Sequence, residues 1–257
     1  MTTHLVIPDA HAKPGVSNDR FLWLGRLALD CKPDVIVDMG DWADMPSLSS
    51  YDKGKKSFEG RRYKDDIEAS YIAYSCFEAP MLAYNTKRKK DKKTQYKPRK
   101  VKLIGNHEER ILRAVNSAAE LEGVISLDDL GHKEFGWEHH DYLQPVNIDG
   151  VFYSHYFTSG VLGRAISGEN PASTMLKKHF VSCTAGHLHL RDFAERTRAD
   201  GQRIIGLISG CYFEHYEDYA GTANDMWWRG AVLCHDVKDG CYEPEFISME
   251  MIKKKYG

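Results

Sequence analysis

The sequence predicts an α/β fold in which two packed β-sheets have helices on both outer sides. Apolar runs at residues 5–8 and 34–39 have the character of buried strands, and residues 21–29 between them carry apolar side chains at helical spacing. Strand, helix and strand in this order form a βαβ unit, whose sites lie at the carboxyl ends of its strands. The second half of the chain is richer in strand-like runs, which would supply the second sheet.

The remaining elements are predicted from the same periodicity and from turn residues. A polar, turn-rich stretch at 45–64 is expected to be a loop insertion. A helix is predicted at 65–84, with Pro80 near its end. A basic insertion at 86–100 precedes a strand at 101–104 and a helix at 108–119. Further strands are predicted at 151–157, 180–185, 203–209, 230–237 and 246–251, and a loop and helix at 161–178. Without an internal repeat or a linker, residues 1–257 are expected to form one domain.

The composition limits the class of protein. Of the 257 residues, 42% are hydrophobic, which is enough apolar material for one sizeable core. The formal net charge of −2 means that affinity for nucleic acid would need a local basic patch. The six cysteines form no CxxC pair, so we expect reduced thiols. Neither a secretory signal nor an apolar run of about 20 residues is evident, so we expect a cytoplasmic protein without a membrane partner.

Five short motifs rich in metal-binding residue types occur along the chain, each at the end of a strand-like run. In order they are Asp9-Ala10-His11, Gly40-Asp41-Trp42-Ala43-Asp44, Gly105-Asn106-His107-Glu108, His155 and Gly186-His187-Leu188-His189. Taken alone, Asp-x-His is typical of a surface turn, and one histidine in an apolar run is typical of a core residue. Together, these carboxylates, imidazoles and one amide offer enough donors for two divalent cations that share one carboxylate. Metal-assisted attack of water on a phosphate ester requires this arrangement.

Two of these residues are predicted to take part in proton transfer, one as the acid and one as its hydrogen-bond partner. An imidazole near the leaving-group oxygen, such as that of His107, would act as a general acid. Asp44 could bind a metal or hold an imidazole by a hydrogen bond, and we favour the second role. Asp41 follows a strand and a glycine, and is the expected shared carboxylate.

The order Asp-x-His, Gly-Asp-x-x-Asp, Gly-Asn-His-Glu, His and Gly-His-x-His resembles the signature of the calcineurin-like metallophosphoesterases. The match spans residues 9–189. The intervening sequence, from residues 47–54 through residues 227–230, looks most like uncharacterised members encoded by phages and prophages. The resemblance implies a four-layer α/β/β/α sandwich with the metals at the sheet edges. A phage-encoded member would work in the host cytoplasm.

The resemblance also implies a role for each motif residue. One metal ion would be held by Asp9, His11, Asp41 and His189. The other would be held by Asp41, Asn106, His155 and His187. A water or hydroxide bridging the two ions would be the nucleophile, and His107 would protonate the leaving alcohol with the help of Asp44. Manganese is the expected metal, and the N/O ligand set leaves iron, zinc and nickel as alternatives.

One departure from the family pattern concerns the residue that binds the phosphate. Protein phosphatases of this superfamily carry an arginine directly after the second aspartate of Gly-Asp-x-x-Asp, where this chain has Met45. This difference counts against a protein phosphatase. Arg110 or Arg164 could replace the missing arginine, although a solvated surface residue is the simpler interpretation of each.

The basic insertion is the strongest local charge in the sequence. Nine of residues 86–100 are Lys or Arg. The part from Lys87 to Lys100 could contact a nucleic-acid backbone, and Tyr96 could stack on a base. The alternative is a solvated, mobile loop that keeps the protein soluble.

Several other polar and aromatic residues have simple structural interpretations. The Trp227-Trp228-Arg229 segment could recognise a base or sugar, although core packing is the favoured interpretation. Surface positions are expected for His132, His139 and His140. Glu108 and Glu109 suit the start of a helix, where negative charge is favourable.

The predicted function is a dinuclear metal-dependent phosphoesterase. Phosphodiesterase or nuclease action on nucleic acid or a nucleotide is slightly favoured, because of the basic segment and the missing arginine. The alternatives are a phosphomonoesterase that acts on nucleic-acid ends or small molecules, and a phage-encoded binding module without turnover.

Overall fold

The computed structural model describes residues 1–257, except for the side chains of residues 218 and 219. The strands are β1 (Thr2–Ile7), β2 (Val35–Asp38), β3 (Arg99–Leu103), β4 (Glu138–His140), β5 (Val146–Ile148), β6 (Val151–Ser154), β7 (Thr158–Ser159), β8 (Arg164–Ala165), β9 (Ser182–Ala185), β10 (Arg191–Thr197), β11 (Arg203–Ser209), β12 (Gly230–Lys238) and β13 (Cys241–Ser248). The α-helices are α1 (Asp19–Cys31), α2 (Tyr63–Lys90), α3 (Glu109–Ser117), α4 (Pro171–His179) and α5 (Met249–Tyr256). Short 3-10 helices lie at Pro46–Leu48, Lys56–Phe58, Ala119–Leu121, Leu127–Leu130 and Asp218–Met226.

The strands form two large mixed sheets, as an α/β fold requires. The first sheet has the order β13-β12-β1-β2-β3-β4, and the second has the order β10-β11-β9-β6-β5. In the first sheet β1, β2, β3 and β4 run parallel to one another, and β12 is antiparallel to β1. In the second sheet β6, β9 and β11 are parallel. Loops that follow parallel strands therefore meet at one edge of each sheet.

Alternation of side chains along the strands makes the sheets pack against each other and against helices. On β1, Val6 joins a buried cluster that also holds Tyr153 and Leu207 of the second sheet. Its neighbours Leu5 and Ile7 face the other way, into a cluster with α1, α2 and α5. The outer face of the second sheet packs against α4. The layers therefore run helix, sheet, sheet, helix.

The basic segment at 86–100 is only partly a loop, because the flanking helix and strand are longer than predicted. The helix predicted at 65–84 continues as α2 to Lys90, and β3 begins at Arg99. Pro80 lies inside α2 without ending it. The four basic residues of the last turn favour this extension, because cations stabilise the carboxyl end of a helix.

The strand predicted at 246–251 was also placed incorrectly. Strand β13 ends at Ser248, whose side chain accepts a hydrogen bond from the backbone of Met251 and caps α5. The strand predicted at 151–157 ends at Ser154, so His155 lies in the following turn. The short strands β4, β7 and β8 and the exposed edge strand β10 were missed because they lack apolar alternation. Strand β5 alternates, as Val146-Asn147-Ile148, but is too short for the pattern to be recognised.

No helix in the described structure has both the length and the apolar character needed to cross a bilayer. The stretch 45–64 contains two short 3-10 helices, is otherwise irregular as far as residue 62, and enters α2 at Tyr63. It lies between β2 and α2, beside the strand ends that carry the motifs.

Candidate metal centre

The five motifs meet at one place because each follows a parallel strand. Asp9 follows β1, Asp41 follows β2 and Asn106 follows β3, all at the same edge of the first sheet. His155 follows β6 and His187 follows β9 at an edge of the second sheet. Packing of the two sheets brings these edges together, as expected for sites of α/β folds.

The first group of donors consists of Asp9, His11 and His189, all of them buried. Their ligand atoms lie within 4.8 Å of one another. The Nε2 atom of His189 is 3.1 Å from Oδ2 of Asp9. This is three of the four residues that the sequence assigned to the first metal ion.

The second group consists of Asp41, His155 and His187, again with ligand atoms within 4.8 Å of one another. The Nδ1 atom of His155 donates to the backbone oxygen of Met39 at 2.9 Å, which leaves Nε2 free to act as a ligand. That Nε2 atom is 2.9 Å from the side-chain oxygen of Asn106. All four residues assigned to the second metal ion are therefore together.

Asp41 lies between the two groups. Its Oδ2 atom is 3.4 Å from Nε2 of His155 and 3.8 Å from Nε2 of His11. Two atoms bound to the same cation at about 2.1 Å lie roughly 3–4 Å apart. The first separation therefore suits one ion held by Asp41 and His155, and the second suits another ion held by Asp41 and His11. Asp41 therefore has the position expected of a shared carboxylate.

The donor set fits divalent cations. Both ring nitrogens of His11 are buried and, among the side chains that the structure describes, have no hydrogen-bond partner. A buried polar group without a partner is costly, and a cation would satisfy one of these nitrogens. Carboxylate oxygens and imidazole nitrogens suit manganese, iron, zinc and nickel. These buried groups could hold metal ions, although they specify neither the ion nor the number.

The surroundings within the centre raise the pKa of two imidazoles and lower the pKa of a third. Burial alone would lower the pKa of His11, but the carboxylates of Asp41 and Glu217 raise it to about 10. Burial is likewise outweighed at His155, where the charge of Asp41 raises the pKa to about 9. Burial and the neighbouring charge of His155 lower the pKa of His187 to about 4. Metal binding would therefore release protons from His11 and His155.

The backbone at the centre is held in a conformation that L-residues rarely adopt. His11, Asp41, His187 and His189 all have positive φ, between 45° and 67°. Such strain costs about 1–3 kcal/mol per residue and persists only where the surroundings enforce it. Part of the enforcement comes from Asp41, whose backbone oxygen accepts from the amide of His11 at 2.9 Å.

Two glycines of the motifs are required for close approach. A side chain at Gly105 would collide with the carboxylate of Asp41, and one at Gly186 would collide with that of Asp9. These glycines therefore let the strand-end turns of different motifs come into contact.

Glu108 lies at the start of α3, as predicted, and it also supports the centre. It is fully buried, and its carboxylate accepts from the amides of Asp41 and Gly105, both at 2.9 Å. The buried Lys102 contacts both Glu108 and Asp38 at 2.9 Å. This ion-pair network ties the end of β2 to the end of β3 directly beneath the donors.

His107 and Asp44 form the pair that the sequence predicted. Nδ1 of His107 lies 2.8 Å from a carboxylate oxygen of Asp44, which can only accept, so Nδ1 carries the proton. Burial opposes ionisation of Asp44, but the hydrogen bond and charge of His107 hold its pKa below the usual range. Nε2 of His107 lies 3.7 Å from Asp41 and 3.1 Å from the guanidinium of Arg110. The imidazole thus borders the centre.

Of the two arginines considered for phosphate binding, one lies in the cavity wall and the other outside it. Arg110, on α3, lines the cavity above the centre and donates to the backbone oxygen of Asp44 at 2.8 Å. Arg164 is exposed on β8 and is not part of the cavity wall. Met45, at the position of the missing arginine, is fully buried in a small apolar cluster.

The centre lies in the floor of a cavity of about 940 Å³. The stretch 45–64 forms one wall, with Tyr51, Arg61 and Arg62 among its lining residues. Trp227 forms part of another wall, and its ring lies nearly perpendicular to that of His189, with centroids 4.5 Å apart. The prediction of core packing therefore holds for Trp228, which joins the apolar cluster between the sheets, but not for Trp227.

Three residues of the centre were missed at the sequence level. Glu217 and His215 form a further donor group with His11, and Nε2 of His215 is 2.7 Å from Glu217. Lys13 lies 2.7 Å from Glu217 and 3.7 Å from Asp44. The alternating His215-Tyr216-Glu217 triplet was the available signal.

The expected surface positions were wrong for one histidine. His132 is fully buried, and its Nε2 lies 3.0 Å from Nδ1 of His139. His139 and His140 are half-buried on β4. His132 lies in the turn before β4, where no apolar periodicity signals its burial.

Comparison with known proteins adds no relative: no protein-family model matches the chain, and no curated protein matches it.

Proposed function

We propose that this chain is a dinuclear metal-dependent phosphoesterase with the calcineurin-like four-layer sandwich. The observation that carries the proposal is the position of Asp41 between two groups of buried donors. One carboxylate with imidazoles on both sides suits two cations that act on one phosphate.

The residues of this chain divide into two ligand sets. The first would be Asp9, His11, Asp41 and His189, and the second Asp41, Asn106, His155 and His187. When bound, manganese or a similar divalent cation would polarise the phosphoryl group and lower the pKa of water enough for attack at neutral pH.

His107 would supply the proton to the leaving oxygen. Asp44 holds the proton on Nδ1 and orients the ring, so Nε2 faces the centre. Arg110 donates to Nε2 in this arrangement, so it must turn away before Nε2 can carry a proton. The same movement would aim the guanidinium at a phosphoryl oxygen, which joins phosphate binding to protonation of His107.

The cavity favours an extended diester over a small monoester. Its volume of about 940 Å³ leaves room for groups on both sides of a phosphate. Trp227 offers an aromatic ring beside His189, where a base or sugar would pack. Arg62 adds a guanidinium to the wall, whereas that of Arg61 is paired with Asp52. Phosphomonoesterase action is the second candidate.

The test is hydrolysis of mono- and bis-para-nitrophenyl phosphate by protein stripped with a chelator. Manganese, nickel, zinc or magnesium is added separately, and a dinucleotide is the third substrate. Added manganese is expected to raise turnover more than about a hundredfold, since metal activation supplies several kcal/mol. Diesters are expected to react faster than the monoester.

Two variants serve as controls. Asp41→Asn should lose the metal-dependent turnover. Asp236→Asn makes the same change at an exposed position with nearly the same φ, 52° against 55°, and should keep it. Turnover of the monoester alone would refute the diesterase preference. Bound metal without turnover of any substrate would refute the phosphoesterase and leave a binding module.

A further inference from the structure

The most strongly charged surface of the molecule lies far from the metal centre. Residues 86–100 contain nine Lys or Arg and one Asp, a formal charge of +8, whereas the whole chain carries −2. The rest of the protein therefore carries −10. A protein with that surplus of acid needs no added lysines for solubility, so the segregation of charge requires another explanation.

Six lysines of this segment are exposed, and none has a carboxylate within 4 Å among the described residues. They are Lys87, Lys89, Lys90, Lys92, Lys93 and Lys97. We call them the distal lysine face. Their ammonium groups are therefore available to an external anion.

The distal lysine face has a fixed shape rather than that of a mobile loop. Lys87, Lys89 and Lys90 belong to the last turn of α2. The return to β3 is fastened by Asn85, whose side chain forms hydrogen bonds of 2.7 and 2.8 Å with the backbone of Tyr96. Arg88 also donates to the backbone oxygen of Thr94 at 2.7 Å. Binding would therefore order little additional backbone, which favours affinity.

Helix α2 separates this face from the metal centre. The first turn of α2 lines the cavity through Asp65 and Asp66. The helix has 28 residues, which at 1.5 Å per residue place its other end about 40 Å away. A short substrate in the cavity cannot touch the distal lysine face.

Both tyrosines of this region are half-buried and in contact with other groups. Tyr96 donates from its hydroxyl to the backbone oxygen of Pro33 and packs against the main core, which leaves less of its ring for the predicted stacking role. Tyr84 lies beneath the cations of Lys32 and Arg88. Without a fully exposed aromatic ring, this face suits the regularly spaced phosphates of a duplex better than unpaired bases. Nor does 86–100 expose a large apolar side chain in the described structure, as insertion into a membrane would require.

We propose that the distal lysine face binds the backbone of double-stranded nucleic acid without sequence preference. This face lies at the far end of α2, about 40 Å along the helix from the turn that lines the cavity. This inference does not rest on the proposed phosphoesterase activity, because binding here requires neither metal nor turnover.

The experiment measures fluorescence anisotropy of a labelled 20-base-pair duplex with the full chain, in the presence of chelator. Lys89→Gln/Lys90→Gln/Lys93→Gln is compared with wild type over a series of salt concentrations. The triple variant is expected to bind at least tenfold more weakly. The slope of log Kd against log salt should fall by about 2–3, since each lost phosphate contact contributes about 0.9.

The matched control is Lys253→Gln/Lys254→Gln/Lys255→Gln in the last turn of α5. It removes the same net charge from lysines of which two already pair with Glu214 and Asp30. It should bind the duplex within about threefold of wild type. Equal weakening in both variants would reduce the effect to net charge and overturn the proposal. Unchanged binding in the Lys89→Gln/Lys90→Gln/Lys93→Gln variant would overturn it as well. So would tighter binding of the wild type to vesicles containing phosphatidylserine than to the duplex, at equal phosphate concentration.

Discussion

At the residue scale, the centre depends on where individual protons lie. His155 donates from Nδ1 to a backbone oxygen and presents Nε2 to the donors. His107 instead keeps its Nδ1 proton for Asp44 and presents Nε2 beside Arg110. The first arrangement suits a metal ligand and the second suits a group that transfers a proton. Two histidines of similar burial therefore have different expected chemistry.

His107→Ala tests the assignment of the general acid. On a dinucleotide, whose alkoxide leaves poorly without a proton, turnover should fall about 10²- to 10⁴-fold. On bis-para-nitrophenyl phosphate the loss should be less than about tenfold, because nitrophenolate leaves unprotonated. The measurement is kcat/KM on both esters, with the exposed His235→Ala as control. Equal losses on the two esters would make His107 a structural residue.

At the element scale, the stretch 45–64 is held in place by side chains of its own and of α2. Asp66 of α2 accepts from the backbone amide of Ser47 at 2.9 Å. Arg61 donates to the backbone oxygen of Pro46 and to Asp52. The wall of the cavity is therefore anchored near both of its ends. Burial raises the pKa of Asp66 to about 6, so its ionised form destabilises the native state.

Asp66→Asn should stabilise the protein in a pH-dependent manner. The native pKa lies above the unfolded value of 3.8, so the wild type loses stability as the pH rises from about 4 to above 6. The asparagine keeps an acceptor for Ser47 and avoids the buried charge. Urea unfolding should show a gain of about 3 kcal/mol at pH 8 and little at pH 4.

The exposed neighbour Asp65 supplies the control for this change. Asp65→Asn should alter stability by less than about 0.5 kcal/mol at either pH. A gain from Asp66→Asn that is the same at pH 4 and pH 8 would contradict the role assigned to its charge.

At the scale of the whole molecule, the metal centre joins the two sheets. Asp9 and Asp41 come from the first sheet, and His155, His187 and His189 come from turns of the second. A cation held by both sets would connect two halves that otherwise meet through apolar packing. Metal binding should therefore stabilise the whole fold rather than one loop.

Saturating manganese should raise the melting temperature of chelator-stripped protein. At a free concentration of 100 times Kd the gain is about 2.7 kcal/mol per site. For a chain of this size that corresponds to about 5–10 °C. Scanning calorimetry should show a much smaller shift for Asp41→Asn and a full shift for Asp236→Asn. An undiminished shift in Asp41→Asn would place the bound metal elsewhere.

The sequence by itself was sufficient for the α/β class and for most members of the centre. Apolar strands with donors at their ends follow from local periodicity and turn residues, which do not depend on distant contacts. Asp41 could be expected beside a glycine turn, and Asp44 beside His107, because short motifs fix such local geometry. Polar edge strands leave no such local signal, so they were missed. The extension of α2 to Lys90 did have a local signal in its basic last turn, which was interpreted as part of an insertion.

Only the tertiary structure decided which side chains share one site. Glu217 reaches His11 across more than 200 residues, and Trp227 reaches His189, because packing of the two sheets aligns their edges. The same packing places Arg110 beside the centre and leaves Arg164 and the distal lysine face away from it. Sequence patterns report the conformation of each segment, whereas the meeting of segments is fixed by burial of the apolar surface between them.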